Sequence, residues 1–151
     1  MPATSIRSLV DSDAADIDIV GRPEMPLQWK IDAVRRRVTV TLRGEVSARE
    51  PFEYLDAIQQ ARAMPFAKIF DVTGLIGVFT DDLVRALGGM VARHSALAAP
   101  PGPLAIVASD PALRAQAELY ARTATADRPV RIFNDAADAE RWLDERERVN
   151  R

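Results

Sequence analysis

Two short, nearly continuous apolar runs constrain this chain most. AKIFDV at 67–72 and LAIVA at 104–108 are what central strands look like when both faces of a sheet are covered. Each is followed by a helical pattern. After the first run, Leu83, Leu87, Met90 and Val91 recur at helical spacing, with His94 on the same stripe. After the second, Asp110–Pro111 pairs an N-cap with a proline at the first helical position, and Leu113, Ala117, Tyr120 and Ala124 mark the buried stripe. Alternating strands and helices imply a sheet that is parallel at its centre.

The elements before and after these runs complete the pattern. LQWKIDA alternates Leu27, Trp29, Ile31 and Ala33, and RVTVTLR alternates Val38, Val40 and Leu42, so the two read as a hairpin with one buried face. A helix follows to about Met64. Its start has two readings: Ser47 and Glu50 at capping-box spacing, or Pro51 at the first helical position. VRIF (130–133) is a last strand, and DAADAERWLDERER is a final helix carrying Trp142 and Leu143. The expected fold is α/β: a mixed sheet of about five strands with about four helices, in the order ββαβαβαβα. Residues 1–24, acidic and rich in small side chains, read as a mobile N-terminal tail, and 25–151 as a single domain. Met25, just before the first clean strand signal, is a second candidate start.

Composition narrows the chemistry. The chain of 151 residues has a formal charge of −2 and no long basic patch, which argues against nucleic acid. It has no cysteine and one histidine, His94, so thiolate and multi-histidine metal sites are excluded. No apolar run reaches membrane-spanning length, so stable membrane insertion is not expected. No basic-then-apolar leader pattern opens the sequence, and the expected location is the cytoplasm. The RRR at 35–37 reads as a solvated hairpin end. No cofactor is implied: Gly74 and Gly77 match neither phosphate-loop spacing, and no lysine follows them. No catalytic motif links His94 to a serine or carboxylate, so the chain is expected not to be an enzyme.

The turn after 67–72 stands out. Leu75, Ile76, Val78 and Phe79 occupy a stretch where loops are usually polar, and Thr80-Asp81-Asp82 then opens a helix. Thr80 as N-cap, with Phe79 and Val84 as a hydrophobic staple, accounts for these residues structurally. Asp81 and Asp82 suit the positive end of the helix dipole. A hydroxyl there is also open to phosphorylation, which would turn an apolar surface polar.

FDVTGLIGVFTDDLVRAL resembles the central stretch of STAS domains, the fold of sulphate-transporter cytoplasmic domains and anti-sigma-factor antagonists. Those domains end a strand in Asp-Leu-Ser-Gly, pass through a few apolar residues, and open a helix with Asp-Ser-x-Gly. Asp71-Val72-Thr73-Gly74 matches the first part. Phe79, Thr80 and Asp82 stand at the positions of the family's aspartate, serine and glycine. PLAIVASDP and VRIFNDAADAERWL look like the later strands and terminal helix of SpoIIAA-like members. The resemblance, which runs from about Leu27 to Leu143, implies a divergent SpoIIAA-like, anti-sigma-factor-antagonist-like module without catalytic activity. It implies a protein partner, such as a kinase or an anti-sigma-like regulator, and a monomer or homodimer. It makes Thr80 the candidate phosphoacceptor. Asp71, Gly74, Leu75, Ile76, Phe79, Asp81 and Asp82 become candidate docking residues. The alternative it leaves open is a STAS-like carrier of a small apolar ligand or lipid, held between sheet and helices.

Overall fold

In a computed structural model, the described residues are 18–21, 26–97, 100–124 and 128–149. The elements in chain order are β1 (Asp18–Gly21), β2 (Leu27–Asp32), β3 (Arg37–Gly44), α1 (Arg49–Gln60), β4 (Ala67–Leu75), α2 (Asp81–Leu97), β5 (Leu104–Val107), α3 (Pro111–Thr123), β6 (Val130–Phe133) and α4 (Ala136–Val149). From Leu27 onward this is the expected ββαβαβαβα order. One strand is added in front of it: β1, in the segment read as a tail, pairs with β2 from Asp18↔Asp32 to Gly21↔Trp29. The rest of that tail and Met25 lie outside the described residues.

The six strands lie side by side in chain order. β1, β2 and β3 are antiparallel; β3, β4, β5 and β6 are parallel. That order decides where the helices go. Every parallel step moves the same way across the sheet, and right-handed crossovers then place α1, α2 and α3 on one face. Val38, Val40 and Leu42 meet Tyr54, Leu55 and Ile58 of α1 and Leu87 and Val91 of α2 there. Leu104 and Ile106 meet Leu113 and Ala117 of α3. The chain is free of this constraint after β6, and α4 covers the opposite face. Ala139 and Leu143 lie against Ile69, Ala105 and Val107. All four residues of β5 are buried because both its faces are covered, the cause of its continuous apolar sequence.

Among the described residues, three polar ones are buried within this frame: Glu50, Lys68 and Arg37. Glu50 accepts hydrogen bonds from the Ser47 N–H (2.8 Å) and the Leu27 N–H (3.1 Å), tying the start of α1 to the first residue of β2. This is half of the capping box expected from the Ser47–Glu50 spacing. The helix begins at Arg49 with Ala48 at the cap, and Pro51 falls within the first turn, where its missing N–H breaks no helical bond. Lys68 donates to the carbonyls of Ala63, Met64 and Phe66. Arg37 corrects the reading of 35–37 as a solvated end: it is 4% exposed and holds Asp144 and Glu147 of α4 at 2.9 Å each. As an odd-numbered residue of β3 it points to the face that α4 covers, opposite Val38.

Candidate functional site

The turn from β4 to α2 is built from both ends. At its start β4 carries one more residue than its partner: the β3–β4 register shifts between Thr41 and Arg43, and Gly74 then pairs with Arg43. A Cβ on Gly74 would lie 3.1 Å from the Leu42 carbonyl oxygen, so a side chain there would crowd the irregularity. Asp71 fixes the strand end, its Oδ1 accepting from the Thr73 N–H (3.0 Å) and hydroxyl (2.6 Å). Gly77 supplies a φ of 82° in mid-turn. At the far end the Thr80 Oγ1 accepts from the Leu83 N–H at 3.1 Å, which is the N-cap read from the sequence.

The four apolar residues of the turn divide into two pairs. Ile76 and Val78 are 67% and 55% exposed. Leu75 and Phe79 are half-buried and pack against the core beneath α1 and α2. Thr80, Asp81 and Asp82 are exposed beside the outward pair, as is Gly74, while Asp71 is half-buried. Of the expected docking residues, therefore, the turn leaves Gly74, Ile76, Asp81 and Asp82 on the surface beside Thr80, the expected phosphoacceptor, and directs Leu75 and Phe79 inward. Val78 is the exposed apolar residue that the resemblance left out.

Phe79 is held by a contact not anticipated from the sequence. Gln116 on α3 accepts from the Phe79 N–H (3.1 Å) and donates to the Phe79 carbonyl. One side chain satisfies both backbone groups of a turn residue and ties the turn to a helix 37 positions away. The signal was present: Gln116 is a polar residue immediately before Ala117 on the buried stripe of α3.

Beneath the turn lies an apolar cavity of about 110 Å³ between the sheet and α1, α2 and α3. Leu75, Phe79, Val72, Leu87, Leu113 and Tyr120 are among its walls. Tyr54, Phe70 and Tyr120 of its lining belong to an aromatic chain: Trp29 to Tyr54 at 5.8 Å, Tyr54 to Phe70 at 5.5 Å, and Phe70 to Tyr120 at 6.4 Å between ring centroids. Burial pushes the Tyr54 phenol well above its ordinary range and raises Tyr120 as well, although Arg128 opposes both shifts. Both side chains are therefore neutral, and neither supplies a base at physiological pH. The Tyr54 hydroxyl is buried and has no hydrogen-bond partner among the described residues.

His94 is half-buried near the end of α2 and makes no hydrogen bond or ion pair among the described residues. Among those residues no cluster of three or more histidine or acidic side chains could hold a metal ion, and no helix is long and apolar enough to cross a membrane.

No family model and no curated protein matches the chain. A solved structure does: an uncharacterized protein of the DUF3478 family from Shewanella loihica PV-4, described as having a SpoIIAA-like fold. The alignment covers 83% of this chain and 91% of that one, with a TM-score of 0.50 and 14% identity. The chain has a SpoIIAA-like fold. In that SpoIIAA-like frame the turn lies at the carboxyl end of a central parallel strand, where open α/β sheets place their binding surfaces.

Proposed function

We propose that this chain is a non-enzymatic binding module of the STAS type that docks a protein partner through the turn between β4 and α2. The observation that carries this reading is the pair Ile76 and Val78, both more than half exposed beside an exposed Thr80 at a helix N-terminus. Apolar side chains held outward on a turn pinned at both ends form a pre-organised contact, which lowers the entropy cost of binding. Thr80 is the proposed phosphoacceptor. Its hydroxyl is accessible, and a phosphate there would add charge next to Asp81, Asp82 and the apolar pair. The partner then meets a wet, doubly charged patch where it had met an apolar one. A regulator of the kinase or anti-sigma type suits such a switch, and the cytoplasm is the compartment proposed for it.

Affinity purification from the native host tests the switch by comparing wild type with Thr80→Glu. A partner captured by wild type and lost with Thr80→Glu supports it. A partner retained equally by both keeps docking and removes the switch.

The cavity favours a second reading, carriage of a small apolar ligand. Its walls are apolar apart from the Tyr54, Tyr120 and Gln116 side chains. Wholly apolar cavities of roughly 150 Å³ stay dry and take up molecules of benzene size, and 110 Å³ is close to that scale. Native mass spectrometry of the freshly purified protein decides this: retained ligand mass supports carriage, and the bare chain mass counts against it.

A further inference from the structure

A second feature lies at the opposite end of the sheet and goes beyond the docking reading. The β2–β3 turn and the C-terminal half of α4 flank a groove of about 650 Å³ at the N-terminal ends of β4 and β5. Pro65, Pro103 and Leu143 give it an apolar floor, and Arg35, Arg36, Arg146 and one carboxylate, Glu147, line its walls.

The arginines here are not equally engaged. Arg35 meets Asp144 at 3.3 Å, and the buried Arg37 takes Asp144 and Glu147 at 2.9 Å each. Asp144 and Glu147 are thus already engaged by Arg35 and Arg37. Arg36 and Arg146 have no ion pair among the described residues. Each instead lies over an aromatic ring, Arg36 at 4.7 Å from the centroid of Phe66 and Arg146 at 5.4 Å from that of Trp142. Stacking occupies the face of a guanidinium and leaves its N–H edge free, and that edge is what grips an oxyanion in a two-pronged fashion. The Arg146 Nε is buried and has no hydrogen-bond partner among the described residues. Arg36 adopts a φ of 56°, a conformation that glycine or asparagine takes with less strain. The turn thus holds an arginine at a position where its backbone favours another residue.

We propose that this groove binds a phosphate-bearing small molecule, with Arg36 and Arg146 holding the oxyanion from opposite walls and the apolar floor taking the organic part. The groove falls in the range of roughly 300–1,000 Å³ usual for small-molecule sites, well above what a bare phosphate fills. Nothing in this inference depends on the turn at the other end of the sheet.

The test is titration of the full chain with phenyl phosphate and with inorganic phosphate, followed by calorimetry and by amide NMR shifts. Phenyl phosphate is expected to bind saturably and more tightly than inorganic phosphate, moving the resonances of 33–36 and 143–147. Arg36→Gln and Arg146→Gln are each expected to weaken it by about tenfold or more. Arg85→Gln on α2 should leave it unchanged, and circular dichroism checks that all three variants fold. Absence of saturable binding at millimolar ligand, or equal weakening by Arg85→Gln, would overturn the site. Equal affinity for the two ligands would overturn the role of the floor. Retention on phosphatidic acid vesicles without phenyl phosphate binding would overturn the small-molecule source in favour of a lipid headgroup.

Discussion

Lys68 sits 2% exposed on the central strand, its ammonium among the carbonyls of Ala63, Met64 and Phe66. Burial pushes its pKa well below the usual lysine range, and the Arg128 guanidinium adds to the shift. The unfolded chain therefore holds this proton to higher pH than the native one does. The cost of burying the charge is full below the native pKa and is relieved as pH rises towards the ordinary lysine value. Stability of the wild type relative to Lys68→Met should accordingly rise with pH across that window, as urea unfolding at a series of pH values would show. A flat difference would contradict it. The paired glycines of α2 give a sharper contrast. A Cβ on Gly88 would lie 2.8 Å from the Thr123 side chain and 3.0 Å from the Ala124 nitrogen, whereas on Gly89 its nearest neighbour is the end of Arg93 at 3.5 Å. Gly88→Ala should cost about 1–3 kcal/mol through overpacking against the end of α3. Gly89→Ala should add about 0.5–1 kcal/mol through helix propensity. Thermal unfolding of the two variants would then shift in opposite directions.

Among the elements, the turn from β4 to α2 was legible in part. Its apolar content, its glycines and the Thr80 cap stood in the sequence, because each is a local matter of spacing and side-chain type. Which apolar residues face outward was not legible, since that depends on Gln116 reaching across from α3 to fix Phe79. The same division holds elsewhere. The strands and the N-cap of α3 follow from pattern, with Asp110 accepting from Ala112 and Leu113 as its position before Pro111 suggested. The burial of Arg37 follows from a contact more than a hundred residues away, and three consecutive arginines give no local sign of it. β1 escaped notice because four residues in an acidic stretch carry too short a pattern to read. If Gln116 is what holds the turn, Gln116→Ala should raise hydrogen exchange at the Phe79 amide by tenfold or more, equivalent to about 1.4 kcal/mol, while the amides of β5 keep their protection. Unchanged exchange at Phe79 would remove the latch.

At the scale of the molecule, the two faces of one sheet carry different features. The α1–α3 side carries the turn and the cavity. The α4 side carries the arginine groove, and Arg37 joins it to the hairpin. Replacing both acceptors of that buried guanidinium, in an Asp144→Asn/Glu147→Gln variant, should destabilise the fold by about 3–5 kcal/mol, because it strands a charge that is 4% exposed. Urea midpoints would register that loss, and a change under about 1 kcal/mol would mean that water or another group takes over. The order of the parallel strands puts three helices on one side and leaves α4 to close the other, so the architecture follows from connection handedness. Function needs the surface, and there the account rests on Ile76 and Val78. The most direct test is the binding isotherm of the captured partner against wild type, an Ile76→Asp/Val78→Asp variant, and Val34→Asp as an exposed apolar control at the other end of the sheet. The double variant should keep its stability within about 0.5 kcal/mol, as surface changes do. It should lose binding by at least a hundredfold, with Val34→Asp unchanged. Binding of the double variant at wild-type affinity would contradict the assignment of the β4–α2 turn as the docking surface.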